Sequence, residues 1–390
     1  MASAAPNKKQ LALLKKDLVT VKGNIKSGKD LEKTENIVRK HLADSAFHGD
    51  VHLWQTLCDV LKRAYEVGNE KMYLKLPTDT TCLIKTGKRM FLAYEKLDSI
   101  YLLPDGRITS NASLRRRNAT YLTPFRPNIF IGGIYFMHRK EWREAWECFD
   151  IYLQCPVQPL FNEMKLPPAD STACRVAFLS LVTAQKLNNF DYALRYADKS
   201  VMSNHRSQAL QILSDMSLNH DDTLHYKQYI TEGFRDYPLS DYFFPHLVEY
   251  YTTRKMFPEA LAVCDTALTV DTLNPMFLLG QHSVYMQTRQ YDEAIRSGEL
   301  LIRQDDTIAT PYYNIGYIHY QRAQQALHRK GRSYSLRMKE AQKHFRLCLP
   351  FMERYRSLMP ADRAHWHPIL YEVYLNLNMG KEFRELKPQQ

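Results

Sequence analysis

The decapeptide PYYNIGYIHY, Pro311 to Tyr320, packs four tyrosines and two isoleucines into ten residues. Both residue types are good strand formers, so the segment reads at first as a β-strand. Its spacing argues otherwise. Tyr312, Ile315, Gly316 and His319 lie at intervals of three, four and seven from Tyr312, and such positions share one face of a helix. Pro311 suits the first helical turn, where its missing N–H costs nothing. The spacing therefore predicts helix. Tyr313, Asn314 and Tyr317 fall off the packing face and are released from core duty.

The same face recurs along the chain. A large residue followed closely by alanine marks the start of a second helix in EWREA (ending at Ala145), NFDYA (Ala193), MFPEA (Ala260), QYDEA (Ala294) and RMKEA (Ala341). Ala260 and Ala294 are 34 residues apart, and Ala193 and Ala260 are 67 apart, close to two such steps. Upstream of Ala260 stand Phe244, Leu247, Val248 and Tyr251, and upstream of Ala145 stand Ile129, Gly132, Gly133 and Phe136. Leu278, His282 and Tyr285 make a weaker copy before Ala294, as do Ala177, Leu181 and Ala184 before Ala193. A small residue on this face lets the partner helix approach closely, and the alanine meets the same need from the other side.

A 34-residue period of antiparallel helix pairs is that of the tetratricopeptide repeat (TPR), and the chain resembles that family over roughly residues 126–387. The phrases FRPNIFIGGIYF (Phe125 to Phe136) and LYEVYLNLNMGKEF (Leu370 to Phe383) are similar to TPR proteins of the bacterial cell envelope. The resemblance implies an all-α solenoid, a right-handed superhelix of antiparallel helix pairs. It also implies a non-catalytic scaffold that binds a protein or peptide in the groove formed by first helices, without a cofactor. Tyr250, Tyr313, Asn314 and Tyr317 are the groove candidates. Asn314 matches an asparagine common in TPRs that bind peptide carboxylates. The expected clamp partners are absent, because Leu279 and Ser283 stand in their places; a carboxylate clamp is not expected.

Departures from the period suggest the organisation. Residues 1–10 are expected to be disordered, and 11–103 to form N-terminal helical pairs, possible degenerate repeats. Residues 104–127 read as a basic, proline-containing linker loop that carries Arg115, Arg116 and Arg117. Residues 128–387 form the array. The steps Ala145–Ala193 (48 residues) and Ala294–Ala341 (47) each exceed the period, so inserted loops are expected near 155–170 and 322–340. The three arginines are a candidate anion- or partner-binding loop, because guanidinium forks suit carboxylate and phosphate. A solvated basic loop is the alternative.

Composition excludes more than it assigns. Fourteen glycines are few for a turn-rich β protein, and the longest apolar run, Ile129 to Met137, falls well short of a membrane span. The seven cysteines (Cys58, Cys82, Cys148, Cys155, Cys174, Cys264, Cys348) never occur as CxxC and read as small hydrophobes. No P-loop, dinucleotide fingerprint, nucleophile elbow or HExxH motif occurs, so no enzyme is expected. His365 and His367 point apart on a helix, and neither they nor His48 and His52 suggest a metal.

Charge is uneven. Residues 1–126 hold 23 Lys and Arg against 13 Asp and Glu, or +10 of the total +11. This leaves a basic N-terminal surface for nucleic acid or anionic lipid as one alternative function. Nucleic acid is the less expected of the two, because the aromatic residues it would stack on are committed to packing. A glycan- or small-molecule-binding envelope protein is a further alternative. The segment MASAAPNKKQ has no hydrophobic signal core, yet ASAA has the small-residue composition found around signal-peptidase sites. The periplasm is expected if a signal peptide is removed ahead of it, and the cytoplasm otherwise.

Overall fold

The computed structural model describes residues 6–101 and 112–386, and every regular element among them is helical. The chain divides into two compact units, Met1–Asp221 and Asp222–Gln390. In the first unit α1 (Lys8–Ser27) pairs with α2 (Leu31–Leu42), and α3 (Val51–Tyr73) with α4 (Thr80–Ile100). After α5 (Ala112–Leu122), α6 (Arg126–His138) pairs with α7 (Trp142–Gln154). Then α8 (Ser171–Leu187) packs on two short pieces, α9 (Phe190–Leu194) and α10 (Ala197–Val201), before α11 (Arg206–Asn219).

In the second unit α12 (Thr223–Asp236) precedes four pairs. These are α13 (Phe243–Thr253) with α14 (Phe257–Val270), and α15 (Pro275–Gln287) with α16 (Tyr291–Gln304). They continue with α17 (Ala309–Leu327) and α18 (Tyr334–Leu358), then α19 (Arg363–Asn376) and α20 (Gly380–Leu386).

The repeat positions do what their spacing demands. Ala145, Ala193, Ala260, Ala294 and Ala341 are all buried, as are Phe244, Leu247, Ile315 and Gly316. A Cβ on Gly133 would lie 2.3 Å from the ring of Phe149, so only glycine lets α6 and α7 approach this closely. At the corresponding position of α15 stands His282, fully buried, and room for it comes from Gly298 on α16, whose added Cβ would sit 3.0 Å from the imidazole. The small residue has moved to the partner helix. Burying a side chain such as Phe345 completely contributes about 1.5–3 kcal/mol. The architecture is an all-α TPR-like array.

A second regularity was not legible in the sequence. Each turn from first to second helix contains a residue with left-handed backbone. These are Gly28, Lys75, Lys140, Asn188, Lys255, Arg289, Gly331 and Asn378, with φ from 48° to 82° among all such residues, and the turn from α1 to α2 holds a second one, Asp30. Glycine or asparagine is the usual occupant of this helix-ending conformation; four of these turns use a long cation instead. Lys75 and Gly28 show that the N-terminal pairs close in the same way as the clear repeats.

The linker expectation is corrected. Residues 112–125 are helical, with Ala119 and Leu122 fully buried, while residues 102–111 lie outside the described residues. Helix forms there because Arg115 pairs with buried Asp98 of α4, through Nη2 at 2.8 Å and a shorter Nε contact. The division between units accordingly falls at Asp221 and not near residue 104. Lys88 of α4 also reaches Glu144 and Glu147 of α7, the latter at 2.6 Å, fastening the N-terminal pairs to the array. The loop expected near 322–340 shrinks to 328–333, because α17 and α18 both lengthen. Arg332 bonds Glu340 at 2.8 Å and Arg337 caps the Leu327 carbonyl at 2.9 Å across the shortened turn. Near 155–170 two 3-10 turns occur, and Phe161 there is buried against Phe91, rings 6.2 Å apart. Helix α1 begins at Lys8 with Asn7 and Gln10 in a reciprocal cap, so the disorder expected for residues 1–10 does not hold from Asn7 onward, and residues 1–5 lie outside the described residues.

Candidate functional site

The first helices of the second unit, α13, α15, α17 and α19, are neighbours in sequence order. Each buries its repeat stripe against its own second helix, so its off-stripe positions form a common face. On α17 these are Tyr313, Tyr317, Gln321 and Gln324, at steps of four and three along one helix face. The rings of Tyr313 and Tyr317 stack at 5.8 Å and 17°, and Gln321 donates to the Tyr317 hydroxyl at 2.8 Å. Gln324 bonds Glu372 of α19. The face is ordered by its own side chains.

Tyr313 also touches its own second helix and the next pair. Its ring lies 5.1 Å from that of Tyr355 and meets His365 edge-on at 5.5 Å. Asp362 organises this corner, accepting from the Tyr355 hydroxyl and contacting His365 Nδ1 at 2.6 Å. Those two hydrogen bonds hold the Asp362 carboxyl below its ordinary value. Burial, then Tyr317 and Asp362, pushes the Tyr313 hydroxyl up. Both groups therefore keep their ordinary neutral-pH states, Asp362 ionised and Tyr313 protonated.

Between α13 and α15 the same face opens into a cavity of about 350 Å³, lined among others by Val248, Glu249, Met276, Leu279 and Ser283. Gly280 makes the room: a Cβ there would meet the Phe244 ring at 2.8 Å, so the ring occupies the floor and leaves the mouth open. Apolar walls with a few polar groups at the rim are the usual composition of a ligand site.

The structure separates the residues that sequence reasoning had grouped. Tyr313 and Tyr317 share the face with its groove. Tyr250 does not: it lies near Tyr226 of α12, rings 6.1 Å apart, beneath the Arg254 guanidinium at 3.9 Å. Asn314 is spent on packing, donating from Nδ2 to His282 Nε2 at 2.9 Å. Of the three arginines only Arg115 is buried, and its fork is taken by Asp98. Arg116 and Arg117 are exposed, Arg116 standing 3.9 Å from Glu163. They do not converge on one site. His367 contacts the Leu386 carbonyl at 3.0 Å, turned away from the Asp362 that holds His365. Met276 and Glu249 were missed as groove residues; the repeat register, carried two steps of 34 residues back from Tyr317, would have found Glu249.

No protein-family model matches the chain, and no curated protein matches it. Solved structures do. The C-terminal part of a TPR repeat-containing protein from Cytophaga hutchinsonii is similar over 67% of this chain and 96% of its own, with 13% identity and a TM-score of 0.42. A TPR repeats protein from Bacteroides fragilis is similar over 64% and 98%, with 15% identity and a TM-score of 0.33. YrrB, described as a TPR protein with an unusual peptide-binding site, is similar over 49% and 87%, with 15% identity and a TM-score of 0.34. The repeat register of the buried positions fixes the TPR-like fold.

Proposed function

We propose that the chain is a non-catalytic scaffold that binds a protein or peptide segment along the first-helix face of its second unit. The observation that carries this reading is the apolar cavity between α13 and α15, on the face that also holds the Tyr313–Tyr317 pair. An extended segment would seat one apolar side chain against Met276 and Leu279 and lay its backbone toward the tyrosines. Large, rigid tyrosines give contact area at low entropic cost. Glu249 at the rim of the cavity favours a segment with a basic residue beside the anchor.

The test is a displayed random-peptide selection followed by titration of enriched peptides against the full chain. Enriched peptides are expected to carry an apolar anchor with Lys or Arg beside it. Leu279→Glu and Tyr317→Ala are each expected to weaken binding about tenfold or more, the usual range for a central anchor contact. Peptides that bind both variants as tightly as the parent would remove the face from consideration.

A further inference from the structure

Seven consecutive residues, Lys71 to Pro77, are exposed where α3 turns into α4. Four of them are large and apolar: Met72 is 41% exposed, Tyr73 86%, Leu74 57% and Leu76 51%. Single exposed apolar side chains need no explanation, but a contiguous group does. Two cavities flank the turn. Met72 borders one of about 240 Å³ toward α6, and Lys71 and Pro77 border one of about 510 Å³ toward α2. Tyr73, Leu74 and Leu76 line neither, and project from the helix end as a prong.

Other turns lie at the same edge. Leu31 and Glu32, at the start of α2, share the larger cavity with Lys71 and Pro77. Tyr135, near the end of α6, bonds Thr81 at the start of α4 through their hydroxyls at 2.9 Å. The turns α1–α2, α3–α4 and α6–α7 therefore form one border of the first unit. It carries Lys29, Lys71, Lys75 and Lys140, all exposed and, among the described residues, none within an ion pair. Of the acids at this border, Asp30 pairs with Lys33 at 3.2 Å and Glu141 with Arg139 at 2.7 Å. Asp79 caps α4 by accepting from the Cys82 N–H at 3.0 Å, which leaves Glu32 and Glu70.

We propose that this border docks the first unit peripherally on an anionic lipid bilayer. Tyr73, Leu74 and Leu76 enter the interface, and the lysines lie over the headgroups. Tyrosine is suited to that depth, apolar in its ring and wet at its hydroxyl. Unpaired lysines are drawn to anionic headgroups, each by an amount that adds up across the border. A projecting prong without a shaped complement matches a fluid interface better than a fitted protein pocket. The docking is peripheral because no helix among the described residues is long and apolar enough to cross a membrane.

The experiment is co-sedimentation of the full chain with vesicles of phosphatidylcholine alone and of phosphatidylcholine with phosphatidylglycerol. Binding is expected to the anionic vesicles and to weaken as salt rises. The triple variant Tyr73→Ser, Leu74→Ser, Leu76→Ser should lower partitioning by roughly tenfold or more, and Tyr73→Ser alone by a smaller factor. Lys71→Gln and Lys75→Gln should each lower it about fivefold. All these side chains are exposed, so melting temperatures should stay with the parent. Equal binding to both vesicle types, parent-like binding of the triple variant, or no vesicle binding at all would overturn the proposal. Capture of an acidic peptide at this turn in place of vesicles would assign the border to a protein partner instead.

Discussion

Asn314 of α17 donates to Nε2 of His282 of α15, 2.9 Å away, and so ties two successive first helices together. Because the amide N–H can only donate, Nε2 accepts, and Nδ1 carries the proton to the Ala294 carbonyl at 2.8 Å. Both nitrogens of a fully buried imidazole are thereby used. Burial also holds His282 below its ordinary pKa, which suits the neutral form this geometry needs.

The first prediction follows. Asn314→Ala strands a buried acceptor and should cost about 1–3 kcal/mol, read as a fall in the urea midpoint of unfolding. A variant as stable as the parent would return Asn314 to the pool of groove residues.

Arg115 and Arg116 should behave in opposite ways. Arg115→Ala leaves the buried Asp98 carboxylate without its partner, a change that costs about 3–5 kcal/mol in comparable buried pairs. Arg116→Ala removes an exposed side chain whose nearest carboxylate is 3.9 Å away, and should fall within about 0.5 kcal/mol of the parent. Chemical denaturation of the two variants side by side decides whether the arginine run is one surface feature or two separate roles.

The two units should respond to pH in opposite directions. In the second, burial, then Arg322 and His344, pushes His319 from 6.5 down to about 4. Its Nδ1 and that of His344 are buried without partners, rings 6.1 Å apart. The neutral form is the native one, so its contribution is whole above pH 6.5 and is lost as pH falls from 6.5 toward 4. In the first, burial, then Asp150 and Asp98, pushes Glu95 from 4.5 up to about 7. There the protonated form is native, so stability is whole below pH 4.5 and is lost as pH rises from 4.5 toward 7. Melting followed against pH should show His319→Phe flattening the acid limb and Glu95→Gln flattening the neutral one. Unchanged limbs would contradict both assignments.

Turn residues offer a stabilising change. Lys255 and Arg289 both hold φ at 58°, a conformation that strains side chains with a Cβ. Lys255→Gly and Arg289→Gly should each raise stability by about 0.5–1 kcal/mol, the strain relief exceeding the added entropy of the unfolded chain. Gly133→Ala is the opposite control: its Cβ would be driven against Phe149 and should destabilise by about 1–3 kcal/mol.

Much of the fold was legible because it is local. The positions three, four and seven apart in PYYNIGYIHY dictate a buried stripe, and Tyr312, Ile315, Gly316 and His319 are indeed buried, together with Pro311 and Ile318. The alanine phrases located second helices for the same steric reason. Two readings failed where a distant partner outweighed local signals. The arginine run looked like a loop because prolines and a turn surround it, yet Asp98, 17 residues earlier, supplies the buried charge that makes helix there worthwhile. Tyr250 looked free because it lies off its own stripe, and nothing local announces that Tyr226 waits for it on another helix.

By itself, then, the sequence determined that the chain is helical, paired and repeating, because helix periodicity and close approach are set by residues a few positions apart. Only the tertiary structure decided which off-stripe side chains remain available. Asn314 and Arg115 were claimed by His282 and Asp98, while Tyr313, Tyr317 and Tyr73 kept accessible surface. The reason is that availability depends on what the rest of the chain places opposite a residue, and the local periodicity of one helix does not record it.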